Sequence, residues 1–325
     1  MMSGPVLVDA DPGIDDALAL QYLVAAGELD LKAITAVAGN TPLPKALANA
    51  RGLAALLEIE QDVPVYGGCP KPLMRKLETA EYVHGDNGMA GAALPKPRVA
   101  ERDEHAVHVI NQLSYRYAGE LTIVAIGPLT NVAAALTLDP SLARRVRRLV
   151  FMGGAVNVPG NTPPGVAEFN IHVDPEAARI VVESGMPFTM VGLDATEQSV
   201  LTRKYLENLD GASAQTSFTC EVLDHYLAVY KRSRGREACA LHDPLAVAVA
   251  ADPGWVELET GNLYVETQGK YTSGKTSFVS QASRQRKKLP GLDPQLAVGQ
   301  VALGLAREDF AEHFVATLAA RAPRP

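Results

Sequence analysis

Four aspartates lie close together near the amino terminus of this 325-residue chain. Asp9, Asp11, Asp15 and Asp16 fall within eight residues, in the segment V-L-V-D-A-D-P-G-I-D-D-A-L-A-L that spans residues 6–20. Carboxylates at this spacing repel one another, which raises their pKa values unless a cation lies between them. Oxygen-only ligands favour a hard cation such as calcium or magnesium over zinc. The cluster therefore predicts a binding site for a divalent cation.

The sequence around the aspartates predicts a strand, a turn and a helix. Val6-Leu7-Val8 is typical of a buried strand, Pro12-Gly13 interrupts it, and apolar residues recur with helical spacing from Ile14 onward. The carboxylates therefore fall on a loop at the carboxyl end of a strand, where open α/β sheets bind ligands. A simpler interpretation is that Asp11 caps the helix and that Asp15 and Asp16 complement the helix dipole. This interpretation would best fit a segment with only one or two acids.

Strand and helix candidates alternate along most of the chain. After the first strand, the strand candidates are residues 31–38, 63–66, 121–126, 149–152, 188–193, 261–267 and 276–280. After the first helix, the helix candidates are residues 44–57, 105–117, 132–138, 174–182, 202–208, 216–230, 241–250 and 310–320. This order predicts an α/β protein with a doubly wound, mostly parallel, Rossmann-like sheet and helices on both faces. No composition shift or internal repeat divides residues 1–325, so we expect a single domain.

Other polar residues follow the later strand candidates. Asn40 follows the second strand, Ile126 ends a middle strand, and His242 and Asp243 begin a late helix. The residues that follow the strand at 149–152 are Asn161, Glu168 and Asn170. Each has an ordinary explanation alone, as a turn residue, a cap or a surface acid. Because the carboxyl ends of parallel strands share one edge of a sheet, their joint pattern predicts one shared site.

Composition and motif searches exclude several classes of protein. The net charge of −7 argues against nucleic acid as a main partner, because phosphate binding needs a basic surface. No G-x-G-x-x-G follows the first strand, and there is no P-loop, which counts against a dinucleotide or triphosphate site. Three cysteines without metal or disulfide spacing suit a reducing compartment. With no signal peptide and no uncharged stretch of membrane-spanning length, we expect a cytoplasmic protein without a membrane partner.

The aspartate segment resembles the signature of a known family. Asp9-Ala10-Asp11-Pro12-Gly13-Ile14-Asp15-Asp16 is similar to the amino-terminal motif of the nucleoside hydrolases, the inosine–uridine-preferring N-ribohydrolases. Similar later motifs occur in the same order, namely Ala38-Gly39-Asn40, Gly127-Pro128-Leu129-Thr130-Asn131, Ala167-Glu168-Phe169-Asn170 and His242-Asp243-Pro244. The resemblance runs from Val6 to about Ala250, with a weaker match at residues 265–269. Residues 283–288 are more basic than the family's closing segment, so the carboxyl third diverges from the family.

The resemblance implies an activity and a cofactor. Members hydrolyse the N-glycosidic bond of ribonucleosides to ribose and a free purine or pyrimidine base, with bound calcium (Ca²⁺). It also implies a homo-oligomer, either a dimer or a tetramer, with a part in purine and pyrimidine salvage. The implied calcium ligands are Asp11, Asp16, Asp243 and the main-chain carbonyl of Ile126. The family often has a hydroxyl side chain at the position of Ile126, a change that a main-chain ligand survives.

The resemblance also implies roles toward the sugar and the base. The residues placed at the ribose are Asp15 and Asn170 for the 2′- and 3′-hydroxyls, Asn161 and Glu168 for the 5′ side, and Asn40 in support of the metal and its water. Asp11 would accept the proton of that water as general base. Because an ordinary imidazole titrates near neutrality, His242 would give the departing base a proton or a hydrogen bond. His84, Tyr226 and Tyr230 would close over the base, although two tyrosines at helical spacing are equally compatible with packing.

Two other interpretations of the acids remain open. In a phosphohydrolase of the haloacid dehalogenase type, Asp9 and Asp11 would be the nucleophile and the acid. Such enzymes place Thr or Val where this chain has Gly13, and Asp15 and Asp16 would have no role. In a calcium-dependent ribose-binding protein, the same residues would hold the sugar without turnover. Base preference and subunit number do not follow from the sequence.

Overall fold

The computed structural model describes residues 4–207, 209, 213–283 and 297–321. The strands in these ranges are β1 (Pro5–Ala10), β2 (Asp30–Ala36), β3 (Val65–Gly67), β4 (Thr122–Ala125), β5 (Arg148–Met152), β6 (Phe188–Val191), β7 (Val200–Thr202), β8 (Ala238–Ala240), β9 (Val256–Val265), β10 (Thr276–Ser280) and β11 (Val298–Leu305). The helices are α1 (Ile14–Ala26), α2 (Leu43–Leu56), α3 (Glu81–His84), α4 (Ala106–Arg116), α5 (Thr130–Leu138), α6 (Leu142–Arg145), α7 (Phe169–Val173), α8 (Pro175–Glu183), α9 (Leu193–Thr196), α10 (Arg203–Leu206), α11 (Ala214–Arg234), α12 (His242–Ala251) and α13 (Phe310–Arg321).

One large sheet organises the described part of the chain. In this part of the chain, the sheet has nine strands, which pair in the order β10-β9-β11-β6-β5-β4-β1-β2-β3. The strands from β11 to β3 in that order run parallel, whereas β9 and β10 form an antiparallel hairpin at one edge. Strands β7 and β8 form a separate antiparallel pair. The prediction of an α/β protein with a mostly parallel sheet is confirmed.

Each face of the sheet has its own apolar core, because successive strand residues point to opposite faces. Val6 and Val8 of β1 pack in one core with residues of α1, α12 and α13. Leu7 packs in the other core with residues of α4, α5 and α8. Helices therefore cover both faces, as expected of a doubly wound sheet. With both faces buried, the strand ends are the places where polar groups can meet a ligand.

The order of the parallel strands reverses at β1. This strand pairs with β2 on one side and with β4 on the other. In doubly wound sheets the connections leave such a point in opposite directions and open a crevice at the carboxyl ends of the two strands. Asp11 follows β1 and Ile126 follows β4, so both lie at this crevice. The topology thus brings two of the predicted site residues together.

Some local predictions differ from the structure. Residues 231–236 are predicted as a solvated loop, but Lys231 to Arg234 form the last turn of α11. Basic side chains are favourable at a helix carboxyl end, and Gly235 ends the helix in the left-handed conformation. Strands β7, β8 and β11 are missing from the sequence prediction. Asn208, at the end of the helix predicted for 202–208, and the basic residues 284–288 lie outside the described residues.

The helices of the described ranges give no candidate for a membrane span, since none combines sufficient length with sufficient apolar character.

Candidate active site

The aspartate loop joins β1 to α1. The helix begins at Ile14 with Gly13 at its N-cap, so Asp11 and Pro12 precede it. The interpretation of Asp11 as the helix cap is therefore wrong. Asp16 serves the loop instead: its Oδ1 accepts the backbone N–H of Asp11 at 3.1 Å, and its Oδ2 accepts that of Gly13 at 2.9 Å. Both oxygens of Asp16 thus hold the loop in shape.

Asp11 is fully buried between the loops that follow β2 and β4. Its Oδ2 accepts the backbone N–H of Asn40 at 2.6 Å, whereas its Oδ1 has no hydrogen-bond partner among the described residues. A Cβ on Gly39 would overlap Oδ2, and a Cβ on Gly127 would lie 2.6 Å from Oδ1. Glycine at both positions therefore lets the two backbones enclose this carboxylate. Oδ1 remains available to a ligand.

Three further carboxylates meet beside Asp11. Asp15, Asp16 and Asp243 each offer one oxygen, and these oxygens lie within 4.8 Å of one another. Burial raises the pKa of Asp243 well above its usual range, and repulsion from Asp15 and Asp16 raises it further. Burial and neighbouring carboxylates raise the pKa values of Asp11 and Asp16 in the same way. The cluster is therefore costly to keep ionised without a cation.

The donor set fits a hard divalent cation. Besides Asp11 Oδ1, the buried Oδ1 of Asp15 lacks a hydrogen-bond partner among the described residues. The carbonyl of Ile126 accepts the Nδ2 of Asn170 at 3.0 Å and retains a second lone pair. All these ligand atoms are oxygens, which suits calcium or magnesium. Of the four implied ligand residues, Asp16 and Asp243 meet in one group of carboxylates, together with Asp15. Asp11 lies outside this group but close enough for Asp15 and Asp16 to raise its pKa, and Ile126 lines the cavity.

Glu168 and Asn170 lie at the ends of β4 and β5. Glu168 caps α7: its Oε1 accepts the backbone N–H of Asn170 at 2.9 Å, and its Oε2 accepts those of Gly154 at 3.0 Å and Ile171 at 3.2 Å. Burial raises the pKa of Glu168 to about 7. The Nδ2 of Asn170 also donates to the carbonyl of Met152 at 3.2 Å. Both side chains are therefore held rigidly by the backbone around them.

His242 is buried at the start of α12, directly before Asp243. Its Nδ1 lies 2.8 Å from the hydroxyl of Thr196, and its Nε2 lies 3.1 Å from the hydroxyl of Tyr230. Burial lowers the pKa of this imidazole, which favours its neutral form near neutrality. Both ring nitrogens are thus engaged, one by α9 and one by α11.

His84 approaches the aspartate loop from α3. Its Nδ1 accepts the backbone N–H of Ile14 at 3.1 Å and lies 4.0 Å from Oδ1 of Asp15. Burial lowers the pKa of this histidine as well. A Lys45–Glu81 ion pair of 2.5 Å ties α3 to α2. The long irregular segment at residues 69–102 therefore delivers His84 to a defined position.

Two tyrosines of α11 face the same region. The rings of Tyr226 and Tyr230 are 5.0 Å apart at an interplanar angle of 77°, and Tyr226 lies 6.1 Å from the ring of His84. The guanidinium of Arg234 lies 4.8 Å from the centre of the Tyr230 ring and pairs with Glu197. The tyrosines are buried and also line the cavity, so they combine packing with exposure to a ligand.

One cavity of about 430 Å³ joins these groups. The predicted site residues that line it are Asp15, Asn40, His84, Ile126, Asn161, Glu168, Asn170, Tyr226, Tyr230, His242 and Asp243. Asp11 and Asp16 do not line the cavity and lie buried beside Asp15 and Asp243. The volume falls within the range of small-molecule sites.

Asp9 does not line the cavity and does not belong to the group of carboxylates formed by Asp15, Asp16 and Asp243. It is fully buried, accepts the hydroxyl of Thr35 at 2.5 Å and the Nδ2 of Asn131 at 2.8 Å, and burial raises its pKa to about 7. This position does not suit the nucleophile of a phosphohydrolase. Thr196 and Arg234 are contacts that the sequence prediction missed, because neither belongs to a motif with recognisable spacing. Asn131 ends one of the motifs that carry the family resemblance, but the sequence analysis gave it no role.

The fold and the site define an α/β protein with an acidic, oxygen-rich cavity at the carboxyl ends of β1 and β4. The model of the family described as inosine-uridine preferring nucleoside hydrolase matches residues 6–310. The chain belongs to this family, which confirms the resemblance found in its motifs. Its members are ribonucleoside hydrolases, enzymes that cleave N-glycosidic bonds.

Individual relatives extend the comparison. The chain is 43% identical over 277 residues to the pyrimidine-specific ribonucleoside hydrolase RihA of Escherichia coli O9:H4 (strain HS), covering 85% of this chain and 88% of that protein. RihA of Citrobacter koseri matches with the same identity and coverage. A plant nucleoside hydrolase structure shares 32% identity over 99% of both chains, with a TM-score of 0.89. The purine-preferring ribonucleoside hydrolase from Gardnerella vaginalis shares 33% identity over 97% of this chain and 98% of that one, with a TM-score of 0.88.

Proposed function

We propose that this protein is a calcium-dependent ribonucleoside hydrolase that releases ribose and a free purine or pyrimidine base. The observation that carries the proposal is the meeting of Asp15, Asp16 and Asp243 within 4.8 Å. Beside them lies Oδ1 of Asp11, for which the described part of the chain offers no hydrogen-bond partner. This group lies at a cavity of about 430 Å³, a volume suited to a nucleoside. Amides, carboxylates, histidines and tyrosines line the same cavity and supply contacts for both the sugar and the base.

Calcium is the cation that we assign to the carboxylate cluster. Asp11, Asp16, Asp243 and the carbonyl of Ile126 would hold it, with Asp15 close enough to contribute. Bound calcium would supply positive charge that lowers the pKa of a water molecule and fixes two ribose hydroxyls. Calcium takes about six to eight oxygen ligands in a flexible geometry. This preference agrees with a donor set that mixes carboxylates and a carbonyl.

Two residues perform the proton chemistry in this proposal. Asp11 accepts the proton of the attacking water, because its Oδ2 is held by Asn40 whereas its Oδ1 has no hydrogen-bond partner within the described ranges. Cleavage of a ribosyl C–N bond passes through an oxocarbenium-like state, which nearby carboxylate oxygens stabilise. His242, which lines the cavity directly before Asp243 in the chain, hydrogen-bonds the departing base.

The ribose is held by residues with fixed side chains. Nδ2 of Asn170 already donates to two carbonyls, so its Oδ1 is the atom left to accept a ribose hydroxyl proton. Asp15 accepts from the neighbouring hydroxyl through its Oδ1, which has no hydrogen-bond partner among the residues that the structure describes. Glu168 and the exposed Asn161 lie on the 5′ side, with Asn40 near the metal. His84, Tyr226 and Tyr230 enclose the base.

We extend the proposal to the organisation of the protein. Both apolar cores pack against one sheet, which supports a single catalytic domain over residues 1–325. The family resemblance supports a cytoplasmic homo-oligomer, either a dimer or a tetramer. Relatives differ in base preference, since RihA is named pyrimidine-specific and the Gardnerella vaginalis enzyme purine-preferring. Both base classes therefore belong in the assay.

The experiment is a nucleoside panel with controlled metal content. The protein is stripped with a chelator, and release of reducing sugar and free base is measured from uridine, cytidine, inosine and adenosine before and after calcium is restored. We expect no release without metal and recovery with calcium. Absence of sugar release in every condition would contradict the proposal. Phosphate release from phosphomonoesters would favour a phosphohydrolase, and saturable ribose binding without turnover would favour a binding protein.

A further inference from the structure

His242 is held between two hydroxyl groups that come from different elements. Thr196 is the last residue of α9, and its Oγ1 lies 2.8 Å from Nδ1 of the imidazole. Tyr230 belongs to α11, and its hydroxyl lies 3.1 Å from Nε2. Thr196 is fully buried, so its hydroxyl has no access to solvent. The direction of these two hydrogen bonds decides which nitrogen of His242 carries a proton.

The direction follows from counting donors and acceptors. A threonine hydroxyl has one hydrogen, and leaving it unpaired in the interior costs about 1–3 kcal/mol. A helical threonine often donates to the carbonyl four residues earlier. Here that carbonyl, on Gly192, already accepts the backbone N–H groups of Ala195 and Thr196. Among the described residues, the acceptor within reach of the Thr196 hydroxyl is Nδ1 of His242.

We propose that Thr196 is a positioning residue whose hydroxyl donates to Nδ1 of His242 and so keeps the imidazole proton on Nε2. This inference rests on the proposed nucleoside hydrolysis, because its consequence concerns the departing base. Nε2 is the nitrogen on the side of Tyr230 and the cavity. With the proton on Nε2, His242 donates to the hydroxyl oxygen of Tyr230, and the hydrogen of this cavity-lining tyrosine can point into the cavity. A bound base can then take the place of that oxygen as the acceptor of the His242 N–H. With the proton on Nδ1, His242 would present a lone pair, which repels the electron density that builds up there.

Paired variants of Thr196 test the inference. Thr196→Val keeps the shape but removes the hydroxyl, and Thr196→Ser keeps the hydroxyl. For uridine or inosine we expect Thr196→Val to lower kcat, with an upper bound of about 10²–10³-fold, the cost of losing one hydrogen-bond donor at a developing charge. Thr196→Ser should restore kcat to within about threefold of the wild-type value. With p-nitrophenyl riboside, whose leaving group needs no donor, all three proteins should react at similar rates.

A matched control separates positioning from a general loss of packing. Thr219 is another buried threonine with a hydrogen-bonded hydroxyl, and it does not line the cavity. Thr219→Val should leave kcat for both substrates unchanged. If Thr196→Val lowered kcat for uridine and for p-nitrophenyl riboside equally, or if Thr196→Ser failed to restore uridine hydrolysis, Thr196 would be a packing residue and the inference would be overturned.

A measurement without substrate tests the hydrogen-bond direction itself. In the calcium-loaded protein with ¹⁵N-labelled histidine, the nitrogen chemical shifts of His242 should show a protonated Nε2 and an unprotonated Nδ1. Thr196→Val should shift the population toward the other tautomer, and His242→Ala assigns the signals. A protonated Nδ1 in the wild-type protein would overturn the inference. A wild-type protein that hydrolysed no nucleoside would instead overturn the proposed function, while the spectrum would still decide the direction.

Discussion

The backbone N–H of Ile14 donates to Nδ1 of His84 across 3.1 Å. This bond joins the first residue of α1 to the last residue of α3, which lie far apart in sequence. Because Nδ1 accepts this hydrogen bond, a neutral His84 carries its own hydrogen on Nε2. A Cβ on Gly13 would lie 2.8 Å from the same Nδ1, so the backbone at this point must be glycine for the ring to approach. The aspartate loop and the wall of the cavity are therefore one connected structure.

Replacing His84 should destabilise the protein through this bond. His84→Ala leaves the buried N–H of Ile14 without an acceptor, which costs about 1–3 kcal/mol. His84→Asn provides a side-chain oxygen close to the position of Nδ1 and should recover part of that loss. Urea unfolding in the presence of calcium measures both free energies. Equal stability of the two variants would show that the hydrogen bond to Ile14 contributes nothing beyond packing.

The convergence of the site was predictable because its residues follow parallel strands. Asn40, Ile126 and Asn170 come from separate parts of the chain, yet each follows a strand whose carboxyl end meets the same crevice. Short apolar runs, and the glycines that follow them, marked those strand ends in the sequence. The same reasoning did not distinguish Asp9, which is enclosed by Thr35 and Asn131, from the acids that surround the cavity.

Features that depend on distant partners were not predictable from local sequence. Thr196 belongs to a one-turn helix without a motif, and its contact is a histidine much later in the chain. Strand β11 contains Gly299, which weakens a strand signal. That glycine is required because a Cβ there would overlap the ring of Phe188 on the neighbouring strand. In both cases the reason for the residue lies in tertiary packing.

The acids of the cluster should divide into a base and structural ligands. Asp11→Asn retains an oxygen that can accept the N–H of Asn40, so we expect calcium to bind while kcat falls by about 10²–10⁴-fold. Asp16→Asn is different, because both oxygens of Asp16 accept N–H groups and an amide nitrogen would face one of these donors. Asp16→Asn and Asp243→Asn should lose calcium. Equal calcium content in all three variants, measured after gel filtration, would contradict this division.

Calcium should also stabilise the folded protein. Without a cation, the buried carboxylates of Asp11, Asp16 and Asp243 repel one another, as their raised pKa values indicate. A ligand present at 100 times its Kd stabilises the folded state by about 2.7 kcal/mol. Thermal unfolding should therefore show a higher Tm with calcium than with chelator, and a smaller shift in Asp243→Asn. A Tm that does not respond to calcium would remove the cation from this cluster.

The ribose 2′-hydroxyl should be essential for turnover. In our assignment, Asp15 and Asn170 each present one oxygen atom to a ribose hydroxyl. When 2′-deoxyuridine is bound, one of these two oxygens is left unpaired. A site built around a hydroxyl can reject the analogue that lacks it by about 10⁴–10⁵-fold. Comparison of kcat/KM for uridine and 2′-deoxyuridine measures this. Similar values for the two nucleosides would show that Asp15 and Asn170 do not bind that hydroxyl.

His242→Ala should separate help to the departing base from support of the site. The His242 side chain contacts Thr196 and Tyr230, whereas the cation site is formed by carboxylates. Calcium binding should therefore persist in this variant. We expect kcat for uridine or inosine to fall by about 10²–10⁴-fold, because the leaving nitrogen loses its donor. Hydrolysis of p-nitrophenyl riboside should change little, since nitrophenolate leaves without a donor. An equal fall for both substrates would mean that His242 maintains the structure around Asp243 and takes no part in departure of the base.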